Sequence, residues 1–170
     1  EEGPETLSKG DLGPGVEIDF DKYRIFAYRD KNWWQRGDAI GELGGPDSET
    51  FYDTGKDHDP RFGKHCHINC DCGRFLEIWN LVFTQYNFNG KEYVELPSKN
   101  IDTGMGLERI AAVLEGKLSV FDTKLFSPII NKIKDLSDHV SSNLSPQEYQ
   151  RALRVVADHC RAIYFLIADG

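Results

Sequence analysis

An α+β fold is predicted for this 170-residue chain by three observations. Strand-like runs separated by Gly- and Pro-rich turns occupy the chain up to about residue 103. Helical periodicity takes over beyond that point, and no segment repeats. A strong Asn89-Gly90 turn signal between two strand-like runs adds an antiparallel pair to the first part.

Residues 1–22 are acidic and rich in Gly and Pro, and read as an extended or mobile leading segment. Tyr23 to Tyr28 is a short β-prone run, followed by Asn32-Trp33-Trp34-Gln35. Gly37 to Ser48 holds four Gly and one Pro and reads as a loop. Glu49 to Asp53 reads as a strand, and Thr54 to Gly73 as a polar loop rich in His and Cys. Arg74 to Phe88 is apolar on both faces, as expected of a buried strand, with Lys91 to Leu96 returning beside it. Leu107, Ile110, Ala111 and Leu114 fall on one face of a helix that Gly116 ends. Ser127-Pro128 starts a second helix with Ile129, Ile130, Ile133 and Leu136 on one face. Ser145-Pro146-Gln147-Glu148 is a capping box opening a third. That helix carries Leu153, Val156, Ala157, Cys160, Ile163, Tyr164 and Ile167 at helical spacing. The expected division is 1–22, then 23–116, then a helical segment 117–170.

A chain of this length buries about two thirds of its unfolded surface and needs no staples. Hydrophobic residues make up 39% and aromatics 12%, which excludes a wholly disordered chain. The net charge of -8 argues against a general nucleic-acid coat, because phosphate binding needs positive charge, though a local basic patch remains open. The longest unbroken apolar run, Ala162 to Ala168, is too short to span a membrane, and no secretory signal opens the chain, so a cytoplasmic protein is expected. The first residue is Glu1 and the single Met is Met105, so the expectation is a fragment or a processed product.

The segment Asp102-Thr103-Gly104-Met105-Gly106-Leu107-Glu108-Arg109 reads as a strand end, a Gly-rich turn and a helix start. Its glycines leave room for a ligand to approach the backbone. Asp102 is placed to meet a cation such as an amino group, and the planar Arg109 guanidinium can stack on a base or fork onto phosphate. The bland alternative is a tight turn in which Asp102 caps the helix and Glu108 and Arg109 are solvated. As a complete string, the segment resembles motif 3 of class II aminoacyl-tRNA synthetases in the form typical of the alanyl-specific branch. Glu77-Ile78-Trp79-Asn80-Leu81-Val82-Phe83-Thr84-Gln85-Tyr86 resembles the long strand before that motif. Asn32-Trp33-Trp34, Gly37-Asp38, Gly45-Pro46, Glu49 and Phe51-Tyr52-Asp53 resemble the family's upstream loop and strand. Arg154 to Arg161, through Phe165 to Gly170, resembles the helix after the catalytic core. The likeness covers about residues 30–170.

The resemblance implies a partial class II antiparallel sheet with its motif 3 helix, then helices that begin the tRNA-recognition region. It implies ATP-dependent activation of alanine to alanyl-adenylate and transfer to tRNA(Ala), with Mg2+ accompanying ATP. By position, Trp34, Asn80, Val82 and Asp102 would bind alanine, with Asp102 on the ammonium. Gly104, Gly106 and Arg109 would meet ATP. None of these is expected to react covalently. Trp33 and Trp34 also fit core aromatics, and Asn80 a satisfied buried amide. Nothing before Tyr23 resembles motif 1 or motif 2, and Ala39 to Gly45 replaces the family's Pro-rich, Cys-containing stretch. The chain is therefore expected to be inactive alone, its partner being the half that carries those motifs.

Cys66-x3-Cys70-x-Cys72 is a separate signal. Disulfides between such near neighbours are strained, so free thiols or metal ligands are expected. Thiolates with His58, His65 and His67 nearby suit tetrahedral zinc in a structural role, with the fourth ligand open. The alternative is a loop of inert thiols. Two further functions follow from these features: a zinc-stabilised binding module that does no chemistry, or one half of a split synthetase. Asp158-His159-Cys160-Arg161 reads as ordinary helix surface, because adjacent helical residues point apart.

Overall fold

The computed structural model describes residues 5–7, 18–28, 31–137 and 144–170. Much of the leading segment 1–22 therefore lies outside the described residues. Strands β1 (Glu5–Leu7) and β2 (Tyr23–Phe26) pair in parallel. Strands β3 (Trp33–Gln35), β4 (Leu43–Asp53), β5 (Phe75–Phe88) and β6 (Tyr93–Met105) form an antiparallel sheet in that order. Helices α1 (Leu107–Leu114), α2 (Ser127–Ser137) and α3 (Pro146–Asp169) follow. The fold is thus α+β. It divides into two compact units, Glu1–Gly106 and Leu107–Gly170.

Three sequence expectations are corrected in the sheet. Leu43 to Ser48 is strand, not loop. The glycines there serve close approach: a Cβ on Gly45 would sit 1.9 Å from the Phe83 carbonyl oxygen. The ladder between β4 and β5 is also irregular between Gly44 and Asp47, where such residues are at home. Second, β5 is half-buried along most of its length, with only Val82 and Thr84 buried. Third, β6 runs on to Met105, so only Gly106 separates strand from helix. Pro97 is tolerated because it falls in a register irregularity opposite Gln85.

The β5–β6 turn spans Asn89 to Glu92. The Asn89 side-chain oxygen accepts from the backbone of Lys91 and Glu92, each at 2.9 Å, and Gly90 takes φ +97°.

The helical unit follows its local signals. Gly116 has φ +63°, its N–H donates to Val113, and Lys117 donates to Ala112, the Schellman pattern. Ser145 Oγ accepts from the Glu148 N–H at 3.3 Å, and Glu148 accepts from the Ser145 N–H at 2.9 Å. Phe126 and Ile130 pack with Leu153 and Ala157, flanked by Phe121, Ile129, Ile133 and Tyr149. The expected buried faces are only partly realised: Leu107, Leu114, Leu136, Val156, Cys160, Ile163, Tyr164 and Ile167 are exposed, and on α1 it is Ala112 that is buried. Asp158 lies 3.6 Å from His159, and Arg161 pairs with Glu108 at 2.5 Å. This ion pair joins α3 to α1. None of the helices among the described residues is long and apolar enough to cross a membrane.

Candidate functional site

Strand register assembles the site. Side chains alternate across a strand, and directly paired residues share a face. Asn80 and Val82 are two apart on β5, so they point the same way. Asn80 pairs with Gly104 and Val82 with Asp102 on β6. On the other side Asn80 pairs with Glu49 and Val82 with Asp47 on β4. One face of three adjacent strands therefore gathers Asp47, Glu49, Asn80, Val82, Asp102 and Gly104. Val82 is buried at the centre, and Asp102 and Gly104 are exposed. A Cβ built on Gly104 meets nothing within 4 Å, so the backbone there is open to a ligand. Asp102 Oδ1 accepts from the next backbone N–H, that of Thr103, at 2.8 Å. Because the strand continues to Met105, Asp102 is not a helix cap.

Asn80 is not a satisfied amide. Its Nδ2 donates to Asp47 Oδ2 at 3.3 Å, while Asn80 Oδ1 and Asp47 Oδ1 are buried and accept no hydrogen bond from the described residues. Two adjacent acceptors left bare in this way suit a ligand that brings donors. Burial pushes the Asp47 carboxyl above the usual carboxylate range, and the Asn80 hydrogen bond offsets part of that. Asp47 escaped the sequence reading. The available signal was its two-residue spacing from Glu49 in what proves to be one strand. A cleft of about 410 Å³ is lined by Asp47, Glu49, Phe51, Tyr28 and Ile68, among others. Neither this cleft nor a larger hollow of about 630 Å³ beside α3, lined by Phe121, Arg154 and His159 among others, is lined by any site residue expected from the sequence.

The remaining expected residues fall elsewhere. Trp34 lies on β3 opposite Gly45, half-buried. The Gly106 N–H donates to the Ile78 carbonyl at 3.3 Å. Arg109 lies exposed on α1, in the helical unit.

The thiols form a second centre at the β4–β5 connection. Cys66, Cys70 and Cys72 are free, buried and clustered against Phe20 and Phe75. Together with His58 their ligand atoms lie within 4.8 Å of one another. Burial, then the neighbouring Cys72, pushes the Cys66 thiol up to about 12. Burial acts the same way on Cys72, but hydrogen bonds from His58, the Arg74 backbone and the other two thiols bring it down to about 6.

The profile of the tRNA synthetases class II (A) family matches residues 16–170. The chain belongs to that family. Its sheet and helices fit part of a class II synthetase domain. Curated relatives include the alanine–tRNA ligase of Borrelia hermsii, 42% identical over 99% of this chain and 28% of that protein. The alanine–tRNA ligase of Desulfitobacterium hafniense is 49% identical over 84% of this chain and 16% of its own length. That of Campylobacter jejuni subsp. doylei is 46% identical over 88% and 17%. The chain thus spans between about a sixth and just over a quarter of the length of these relatives.

Proposed function

We propose that this synthetase-family chain forms the motif 3 half of an alanine-activating core. In the complete enzyme, an alanine carboxylate oxygen attacks the α-phosphorus of ATP, the bond to pyrophosphate breaks, and alanyl-adenylate forms. The alanyl group then passes to tRNA(Ala). Such catalysis is positioning and charge stabilisation, with no covalent bond to the protein. The observation that carries the reading is the register that sets Asn80 and Val82 against Gly104 and Asp102 on one face.

On this reading Asp102 pairs with the alanine ammonium, Val82 walls the methyl group, and Asn80 supplies an acceptor, while Trp34, which the resemblance gives to the same pocket, lies on β3 opposite Gly45. Asp47 joins them as a second carboxylate beside Asn80. One methylene is worth only about 1–3 kcal/mol of discrimination, so the polar partners share the work of selecting alanine. The open backbone at Gly104 fits the close approach of a nucleotide. The family resemblance also gives Gly106 and Arg109 to ATP. Mg2+ supplies charge neutralisation at the ATP phosphates. Motifs 1 and 2, which the family's chemistry requires, come from another part of the enzyme. The setting is the cytoplasm. The three thiols hold a structural zinc that takes no part in this chemistry.

Calorimetric titration with a non-hydrolysable alanyl-adenylate analogue, against its seryl counterpart, tests this reading. The expected result is binding that prefers the alanyl form and is lost in Asp102→Ala. Absent or indiscriminate binding overturns a formed alanine pocket in this chain. It would favour the second reading, a zinc-stabilised module without ligase chemistry, for which the thiol cluster is the motivating observation.

A further inference from the structure

We propose that His58 completes a closed Cys3His zinc site with Cys66, Cys70 and Cys72, and that this metal orders the β4–β5 connection. The inference rests on reading the three thiols as metal-holding, and it names the fourth ligand that the spacing leaves open.

The geometry fits tetrahedral coordination. With Zn–S near 2.3 Å, two thiolates on one tetrahedral ion stand about 3.8 Å apart. Cys66 Sγ and Cys72 Sγ are 3.7 Å apart. A thiolate and an imidazole nitrogen on the same ion stand about 3.6 Å apart. Cys70 Sγ and His58 Nδ1 are 3.8 Å apart. The other ring nitrogen of His58, Nε2, lies 2.9 Å from the Gly63 carbonyl. Donating there fixes the tautomer and leaves the Nδ1 lone pair facing the sulfurs, the outer-shell support that ligating histidines use.

The competing histidines are placed otherwise. His67 Nδ1 lies 3.3 Å from the Tyr28 hydroxyl, and neither His65 nor His67 belongs to the cluster of ligand atoms. Three thiolates and a neutral imidazole give a divalent ion a net charge of −1. The Lys56 ammonium is anchored on the Cys72 carbonyl at 2.9 Å, close enough to offset it. Four protein ligands leave no open position, so the site is structural rather than catalytic. The residues between His58 and Cys72 include few apolar side chains. The three buried thiols pack on Phe20 and Phe75 and form the only buried cluster identified among the described residues of the sheet unit. A metal bonded to all of them supplies the order that apolar burial does not.

The test uses the reduced 170-residue chain with zinc or cobalt alone as the probe. The expected stoichiometry is one zinc per chain. The cobalt form is expected to give intense tetrahedral visible bands with thiolate charge transfer. Absence of metal from folded, reduced protein would overturn the metal reading as a whole. The histidine variants decide the fourth ligand separately. His58→Ala is expected to weaken metal binding by more than about 100-fold, beyond the 10–100-fold typical of outer-shell losses. His58→Cys is expected to keep the metal and add thiolate charge transfer to the cobalt spectrum. It guards against a mere folding failure in the alanine variant. His65→Ala and His67→Ala are expected to leave stoichiometry and spectrum unchanged. An unaltered spectrum in both His58 variants, or one altered by His65→Ala or His67→Ala, would overturn His58 as the ligand.

Discussion

The helical unit and the sheet unit reach order by different means. In Leu107–Gly170, buried Phe126, Ile130, Leu153 and Ala157 meet one another, Gly116 ends α1 and Ser145 caps α3. In the sheet unit the strands are mostly half-buried, and the clustered buried side chains are three thiols. The difference teaches where a metal is worth having. A segment with apolar periodicity organises itself by burial, whereas a long polar connection between strands needs a cross-link.

The largest effect should come from removing the zinc proposed at the thiol cluster. Structural zinc is worth roughly 10–16 kcal/mol of apparent binding free energy near neutral pH. Stripping it is expected to speed amide exchange across residues 54–73 by at least about 100-fold and leave α3 unchanged. Equal acceleration in both units would break the contrast. Next, Leu153→Ala opens a cavity in the helical core and should cost about 2–5 kcal/mol. It should be visible in far-UV circular dichroism melting while tryptophan fluorescence holds, because Trp33, Trp34 and Trp79 all lie in the sheet unit. Gly45→Ala is the mirror experiment. Its new methyl collides with the Phe83 carbonyl, and a loss of about 1–3 kcal/mol should register first in tryptophan fluorescence. Ser145→Ala removes the α3 cap and should cost about 1 kcal/mol, read by helix melting.

The smallest effect sharpens the comparison on the sheet side. The Asp53 carboxyl is held below the usual range, chiefly by its hydrogen bond with Arg74, at 2.9 Å between the closest atoms. A depressed carboxylate stabilises the fold above its unfolded value near 4, and that contribution is lost as pH falls through the lower folded value. Asp53→Asn should therefore cost about 0.2–1 kcal/mol at pH 7, with the gap to the wild type closing in acid. A gap that persists at pH 2 would show that the pair acts through packing rather than charge.

Much of this was legible in one dimension. The Asp102–Arg109 string identified the family, because two glycines, an acid and an arginine at that spacing seldom coincide. Caps at Gly116 and Ser145 depend on a few neighbouring residues and so were readable directly. The strand from Leu43 was not, because glycines mark loops locally yet serve here to admit the Phe83 backbone. Nor was the exposed stripe on α3, since periodicity names a face without naming what covers it.

The sequence by itself determined the family, the order of strands before helices, the helix caps and the three thiols, all properties of residue type and short spacing. Only the tertiary structure decided that β6 continues through Asp102, that Asp47 stands beside Asn80, and that His58 rather than His65 or His67 faces the sulfurs. Those outcomes depend on register and on contacts across up to 33 residues of chain, which local spacing does not encode.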